Sequence, residues 1–352
     1  MYPFLLFLLF LSDIGRKRSL PLPIRRKGLL LMGRYGIIQK NYTFSAFLPR
    51  EGGDEKTHIY ILRVLFMRKQ VKMLLSSLSP ELTTRLMFRY NFHKRLNLKN
   101  PQDFNEKLQY LKLRTYYDNP VITQCVDKYR VREYLEQQGE GRLLPELLAG
   151  PFYDARDLRA VWDSLPQSFA IKCNHGCGYN ILVKDKSKVD LEDAVKALGR
   201  WLREDYWKIY CEPQYRFVRK AFTVERYLGD NIETYKFYCF NGKPEVMYLS
   251  SNGEHGEKDL YLDYYDMDMN WVDLTLYPHQ HAKEKAVKPK NFGEMAALAE
   301  KLSAPFPFVR IDLYDVDGEI YFSEFTFVPT GGNMKLEPKH YLDDWGKLLR
   351  LP

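Results

Sequence analysis

Cysteine is scarce in this chain, with five (Cys125, Cys173, Cys177, Cys211 and Cys239) among 352 residues. An odd, thinly spread set cannot form the framework of a disulfide-stapled protein, so a reducing cytoplasm is the expected setting. Nor do the cysteines supply a metal centre. Cys173-Asn-His175-Gly-Cys177 has the outline of a knuckle, but a zinc site needs a second ligand pair and none is spaced for it. Long apolar runs are lacking as well. Met1–Leu11 is almost wholly apolar, yet a spanning helix needs about 20 such residues, and the basic start and small-residue cleavage site of a secretory signal are absent. Glycine and proline total only 40 residues and no sequence period repeats, which excludes collagen-like, low-complexity and solenoid architectures.

What is present is core-forming material: 45% hydrophobic residues, including 26 Tyr and 21 Phe. The net charge of +8 is unevenly placed. Residues 1–100 carry 19 Lys/Arg against 5 Asp/Glu, whereas residues 101–352 carry 34 against 40. Phosphate neutralisation along a nucleic acid needs clustered cations, and a mildly acidic body does not provide them, so nucleic acid is excluded as a partner. Residues 1–66 read as an irregular extension that precedes the folded part opening at Met67. Its basic cluster (Arg16, Lys17, Arg18, Arg25, Arg26, Lys27) beside apolar sequence would allow peripheral contact with an anionic membrane surface.

From Met67 the local signals become regular. Ser79-Pro80-Glu81 predicts a capped helix start, with Leu82, Leu86, Met87 and Tyr90 on one apolar face. Asp118-Asn119-Pro120 opens a second helix, expected to run unbroken through Val121, Cys125, Val126, Tyr129 and Leu135 to Gly139. Region 67–140 is therefore helical. Beyond it come short strands at Phe169–Cys173, Asn180–Val183, Thr223–Leu228, Thr234–Phe240, Glu245–Ser250, Phe308–Tyr314 and Glu319–Phe327. Asn241-Gly242 and Asp317-Gly318 are hairpin turns. A helix from Leu191 to about Asp205, capped by Asp190, interrupts the strands, and a last one starts near Lys339. The expected class is α+β with antiparallel sheets.

The chemistry-bearing residues stand out inside these apolar strands. In Phe308-Val-Arg310-Ile-Asp312-Leu, Arg310 and Asp312 share one face. The partner strand carries Glu324. A two-residue loop at Asp317-Gly318 would put Asp312 and Glu324 on opposite faces. A three-residue loop Val316-Asp317-Gly318, with Gly318 at the left-handed bulge position, would make them diagonal neighbours on the same face. Carboxylates that close repel unless a cation sits between them, and Mg²⁺, which takes one or two carboxylates with phosphate oxygens and water, fits; the alternative is an ordinary charged strand face. Upstream, Lys172 ends a strand before His175-Gly176-Cys177-Gly178. A glycine-bearing hairpin tip can turn backbone N–H groups to an anion beside a strand lysine. His175 at that tip could reach a phosphate, or be an exposed loop side chain. An ordinary β-turn would carry the same glycines.

In chain order, Lys128 in Val-Asp-Lys-Tyr-Arg-Val-Arg, Lys172, Glu225 in Thr-Val-Glu-Arg-Tyr-Leu228-Gly, Lys236, Arg310-Ile-Asp312 and Glu324-Phe-Thr326 resemble the ATP-grasp fold. Within it, Phe104-Asn-Glu-Lys-Leu-Gln-Tyr-Leu-Lys, Asp127-Lys-Tyr-Arg-Val-Arg and Ile320-Tyr-Phe-Ser-Glu-Phe-Thr-Phe look like the TupA-like group of cell-surface polysaccharide biosynthesis, over about residues 75–350. The resemblance implies a small subdomain over 141–230, with the glycine hairpin, and a catalytic subdomain over 231–352. It further implies that Lys128 and Lys172 contact ATP phosphates under a closing loop of His175, Gly176 and Gly178. Glu225 and the backbone at Leu228 would hold adenine, Glu233 the ribose. Lys236 would reach the terminal phosphate, Asp312 and Glu324 would bind Mg²⁺, and Thr326 stands where many relatives have an Asn ligand. The implied cofactors are ATP and Mg²⁺. The implied reaction is ligation of a carboxylate, such as a uronic acid in a glycan precursor, to an amine through an acyl phosphate, in the cytoplasm at the inner face of the membrane, with Arg310 steadying the acyl phosphate. The alternative is a nucleotide-sugar-dependent glycosyltransferase, since Asp266-Met267-Asp268 resembles the metal motif of that class.

Overall fold

A computed structural model describes residues 69–230, 232–253 and 256–352, of which 252, 253 and 256–259 are described in backbone only. The basic arm, the remainder of residues 1–66, and His255 lie outside the described residues. The chain begins with helices α1 (Lys69–Leu78), α2 (Pro80–Phe92), α3 (Phe104–Tyr110), α4 (Pro120–Val126) and α5 (Val131–Gln137). Their starts follow from local chemistry. Ser79 accepts a hydrogen bond from Leu82 N at 3.1 Å, Asn119 accepts from Val121 N at 3.0 Å, and a proline follows each cap where its missing N–H costs nothing.

A four-stranded sheet comes next, built from β1 (Leu147–Phe152), β2 (Phe169–Cys173), β3 (Asn180–Val183) and β4 (Phe222–Arg226) in the order β1-β4-β2-β3. Three helices back it: α6 (Asp157–Val161), α7 (Leu191–Arg203) and α8 (Tyr206–Tyr210). Helix α7 buries Ala194, Val195, Leu198 and Trp201, one stripe at helical spacing, against that sheet's core. The second sheet has six strands: β5 (Glu233–Phe240), β6 (Lys243–Gly253), β7 (Gly256–Tyr265), β8 (Trp271–Val272), β10 (Phe308–Val316) and β11 (Glu319–Thr326), ordered β11-β10-β5-β6-β7-β8. Strands β9 (Thr275–Leu276) and β12 (Leu336–Glu337) form a separate pair. Helices α9 (Phe292–Ser303) and α10 (His340–Leu348) complete the fold. Phe104, Phe240, Phe308 and Trp345 pack edge to face or tilted, with ring centres 5.1–5.8 Å apart, fastening α3 and α10 to the second sheet. All ladders in both large sheets are antiparallel, so the class is α+β as expected. No described helix is long and apolar enough to cross a membrane.

Three sequence expectations are corrected here. The helix read as continuous from 120 to 139 breaks at Asp127, whose backbone is extended (ψ 107°). Asp127 Oδ1 caps Tyr129 N and Arg130 N at 2.9 and 3.1 Å, competing with the helical ladder. The face of α2 is also shifted: Thr83, Thr84 and Phe88 are buried, Leu86, Met87 and Tyr90 are half-buried, and Leu82 is exposed. Finally, the Asp317-Gly318 hairpin has a two-residue loop, both residues at positive φ, with Val316 paired to Glu319. The parity is restored instead by a bulge at Ser323, between the pairs Leu313–Phe322 and Asp312–Glu324. The two carboxylates are therefore directly opposed, not diagonal. Strands β1 and β7 and helix α9 were not anticipated. Helix α9 has no capping side-chain hydrogen bond to announce it.

Candidate active site

The bulge places the functional face of β10–β11. Arg310 pairs with Thr326, and Asp312 with Glu324. Strand β5 lies on the other side of β10, in a register that sets Lys236 opposite Asp312. Asp312 is fully buried, and both of its oxygens are engaged. Arg310 donates through Nε to Oδ1 and through Nη2 to Oδ2, each at 2.6 Å, while Lys236 Nζ donates to Oδ2 at 2.9 Å. Burial works against the Asp312 carboxylate, but Arg310 and then Lys236 outweigh it and hold the group below the usual carboxylate range. Burial likewise opposes the charge of Lys236, and Asp312 more than restores it, so the ammonium stays protonated. Arg310 Nη2 also donates to Thr326 Oγ1 at 3.0 Å and lies 3.5 Å from Glu324 Oε1. The ring of Tyr248 completes this corner, its hydroxyl 3.3 Å from Arg310 Nη1.

The glycine hairpin between β2 and β3 faces this corner. Lys128, released from helix by the break at Asp127, donates from Nζ to Gly176 O at 2.7 Å and lies 3.5 Å from Glu324 Oε2. One lysine thus touches both the glycine turn of the first sheet and the carboxylate hairpin of the second. A clamp holds it there: Asn174 Nδ2 donates to Asp127 Oδ1 at 3.0 Å, and Ala221 N donates to Asn174 Oδ1 at 2.8 Å. Lys172 Nζ is 2.8 Å from Glu225 Oε2 and senses the charge of Glu324. Burial opposes the Lys172 charge, and Glu225 outweighs it. Arg132 Nη1 approaches Glu225 Oε1 at 3.7 Å.

Glycine is needed at 176 because a Cβ there would stand 2.5 Å from the ring of Tyr206, and at 178 because φ is +76°. His175 is not an exposed loop side chain. It is 2% exposed, its Nε2 lies 3.0 Å from Trp201 O, and burial pushes its pKa down to about 4, so the ring is neutral and turned into the core of the first sheet. Leu228 follows β4, and Glu233 opens β5, where its Oε2 accepts from Tyr235 OH at 2.7 Å. The structure brings Lys128, Lys172, Gly176, Lys236, Arg310, Asp312, Glu324 and Thr326 together. The Asp127–Asn174 clamp, Arg132 and Tyr248 were missed from sequence. An aspartate interrupting a helical pattern was the available signal for the first.

Asp266-Met267-Asp268 is a turn-closing device. Asp266 Oδ1 accepts from Asp268 N and Asn270 N at 2.9 and 2.8 Å, and its Oδ2 accepts from Asn270 Nδ2 at 2.9 Å. Among the described residues no group of three or more His, Cys, Asp or Glu side chains is gathered as a metal centre. The Asp312–Glu324 pair with the Thr326 hydroxyl does present hard oxygen donors on one face, the donor chemistry of Mg²⁺, now covered by Arg310 and Lys236.

Comparison with known proteins follows the same lines. A family model described as TupA-like ATPgrasp matches residues 106–349. No curated protein matches this chain in sequence. Among solved structures, D-alanine-D-alanine ligase from Helicobacter pylori is similar at 15% identity with a TM-score of 0.36, over 64% of this chain and 59% of that one. The Bacillus anthracis D-alanine–D-alanine ligase complexed with ATP is similar at 16% identity and a TM-score of 0.34, over 58% and 55%. An N5-carboxyaminoimidazole synthase from Aspergillus clavatus, in complex with ADP and 5-aminoimidazole ribonucleotide, gives 14% identity and a TM-score of 0.35, over 58% and 44%. The chain thus spans less than two thirds of the length of each of these proteins. With a family match over most of its length, the chain belongs to the TupA-like ATP-grasp family.

Proposed function

We propose that this protein is an ATP-dependent carboxylate–amine ligase that forms an amide through an acyl phosphate, acting in the cytoplasm on a uronic acid of a cell-surface glycan precursor. The observation that carries the reading is Lys128, which contacts both Gly176 O and Glu324 and so ties a phosphate-cradling turn to a pair of opposed carboxylates. Lys128 and Lys172 take the nucleotide phosphates beneath the turn at Gly176 and Gly178. Lys236, which donates to Asp312 Oδ2 at 2.9 Å, is the lysine that would reach the terminal phosphate. Glu225 and the backbone at Leu228 receive adenine, and Glu233 the ribose. His175 shapes the turn from beneath, through its contact with Trp201 O. Asp312, Glu324 and Thr326 would hold Mg²⁺, whose contribution is to neutralise phosphate oxygens.

The substrate carboxylate oxygen attacks the terminal phosphorus, and ADP leaves. The amine nitrogen then attacks the acyl carbon, losing its proton as inorganic phosphate departs. Positioning and charge neutralisation do most of the work in phosphoryl transfer, so no protein nucleophile is required. Arg310, with its planar fork beside the carboxylate pair, steadies the acyl phosphate oxygens. The test is ADP release and amide formation, followed by mass spectrometry, over a panel of uronic acids and amino acids with Mg-ATP. Turnover with one pair supports the assignment. Tight Mg-ATP binding without ADP release on any pair overturns it and leaves only a nucleotide-binding site.

A further inference from the structure

The helices that open the described chain bury hydroxyls and expose leucines. On α1 and α2 the residues turned to the body are Ser76, Thr83 and Thr84, at most 1% exposed, together with Phe88. Three of their five leucines face outward: Leu74 is 57% exposed, Leu78 66% and Leu82 46%, while Leu75 and Leu86 are half-buried. Leu74 and Leu78, four residues apart, share one face of α1, and Leu82 stands in the first turn of α2, just beyond the extended residue Ser79. Single exposed leucines are ordinary, but three within nine residues, on helices that bury hydroxyls, mark a surface built to be covered.

Charge identifies what covers it. Residues 69–100 contain seven Lys/Arg and a single acid, Glu81, which is held by Arg85 and Arg114. Arg89 lies two turns beyond Leu82 on the same face of α2, and Arg95 and Lys99 follow it; all three are exposed and form no ion pair among the described residues. Exposed leucines followed along the chain by free cations match the acyl boundary and phosphate layer of an anionic bilayer. The patch is also firmly mounted. Lys69 Nζ bonds Glu204 Oε1 at 2.6 Å, Lys72 lies over the Tyr210 ring, and Thr84 meets Cys211, so α1 and α2 grip the segment that backs the glycine turn.

We propose that α1 and α2 dock this protein onto an anionic membrane surface, through Leu74, Leu78 and Leu82 with Arg89, Arg95 and Lys99. This inference does not depend on the reading of the active site. The experiment is sedimentation of the full chain with phosphatidylcholine vesicles, with and without about one third phosphatidylglycerol. Binding is expected only with the anionic lipid and weakens as salt is raised. Leu74→Ser, Leu78→Ser and Leu82→Ser together should lower the partition coefficient roughly tenfold or more, while leaving the melting temperature and ATP affinity in place. Arg89→Gln, Arg95→Gln and Lys99→Gln together should weaken the preference for anionic lipid, and an unchanged preference also overturns the proposal. No binding by the wild type, or equal binding by the leucine variant, overturns the proposal. So does a wild-type dimer that the leucine variant converts to monomer, because a second copy would then be the occupant.

Discussion

Replacing Asp312 by Asn removes one charge from the centre of the site while keeping its shape, and its cost follows from the contacts. The Asp312 side chain is 1% exposed, and it neutralises Arg310 and Lys236, which are 12% and 18% exposed. Removing one partner of a buried ion pair costs about 3–5 kcal/mol, because the remaining cations lose their counter-charge. An amide can still accept one hydrogen bond, so about 3 kcal/mol is expected for Asp312→Asn. At an unfolding entropy of about 2.1 cal/mol/K per residue, a body of roughly 280 residues loses about 1.7 °C per kcal/mol, or about 5 °C here. Differential scanning fluorimetry without nucleotide measures it. The pH dependence sharpens the test. The folded-state pKa is depressed, chiefly by Arg310 and Lys236 against the opposing effect of burial, so the stabilisation is present above the unfolded value of about 3.9 and is lost as pH falls through the folded one. The difference between wild type and variant should be full at neutral pH and close in acid. A difference under about 1 °C, or one that persists undiminished in acid, would refute the reasoning.

Other perturbations test the remaining parts. Lys128→Met removes the contacts to Gly176 O and Glu324 from a partly exposed position; calorimetry should find Mg-ATP affinity down about 10–100-fold, with little change in melting temperature. Gly176→Ala drives a Cβ into the Tyr206 ring; a loss of about 1–3 kcal/mol in a urea titration is expected, relieved in part when Tyr206→Leu is added. His175 is buried and neutral with a pKa of about 4, so its stabilisation is complete above an unfolded value of about 6.5 and declines as pH falls toward 4, by about 3 kcal/mol in all. His175→Gln should flatten that part of the stability–pH curve, and an unchanged slope would place the titrating group elsewhere.

The readable parts of this chain are those where one or two neighbouring residues decide the backbone. Asn241-Gly242 and Asp317-Gly318 announce their turns because both positions must take positive φ, and they do. Strands β2 and β3 stand where alternation and bounding turns place them. The shared face of Asp312 and Glu324 was also legible, although the loop device was not, because the Ser323 bulge depends on how β11 closes against β10. The break at Asp127 has a local part, the capping of Tyr129 N and Arg130 N, and a distant one, the contact with Asn174 47 residues away. A helical period cannot register a contact at that distance. His175 misled for a similar reason: a polar residue between glycines reads as exposed until α7 supplies the Trp201 carbonyl. On α2 the body packs against Thr83, Thr84 and Phe88, which leaves Leu86, Met87 and Tyr90 half-buried and Leu82 exposed.

The central claim is that the turn at Gly176 and the hairpin of Asp312 and Glu324 form one Mg-ATP site. The most direct measurement is isothermal titration of the full chain with ATP, with and without Mg²⁺, repeated for Asp312→Asn combined with Glu324→Gln and set beside a titration with Mg-UDP-glucuronate. The account predicts one ATP bound per chain, a strong dependence on Mg²⁺, loss of that dependence in the double variant, and no heat from the nucleotide sugar. Binding of the nucleotide sugar alone, or ATP binding that is indifferent to both Mg²⁺ and the double substitution, would contradict it.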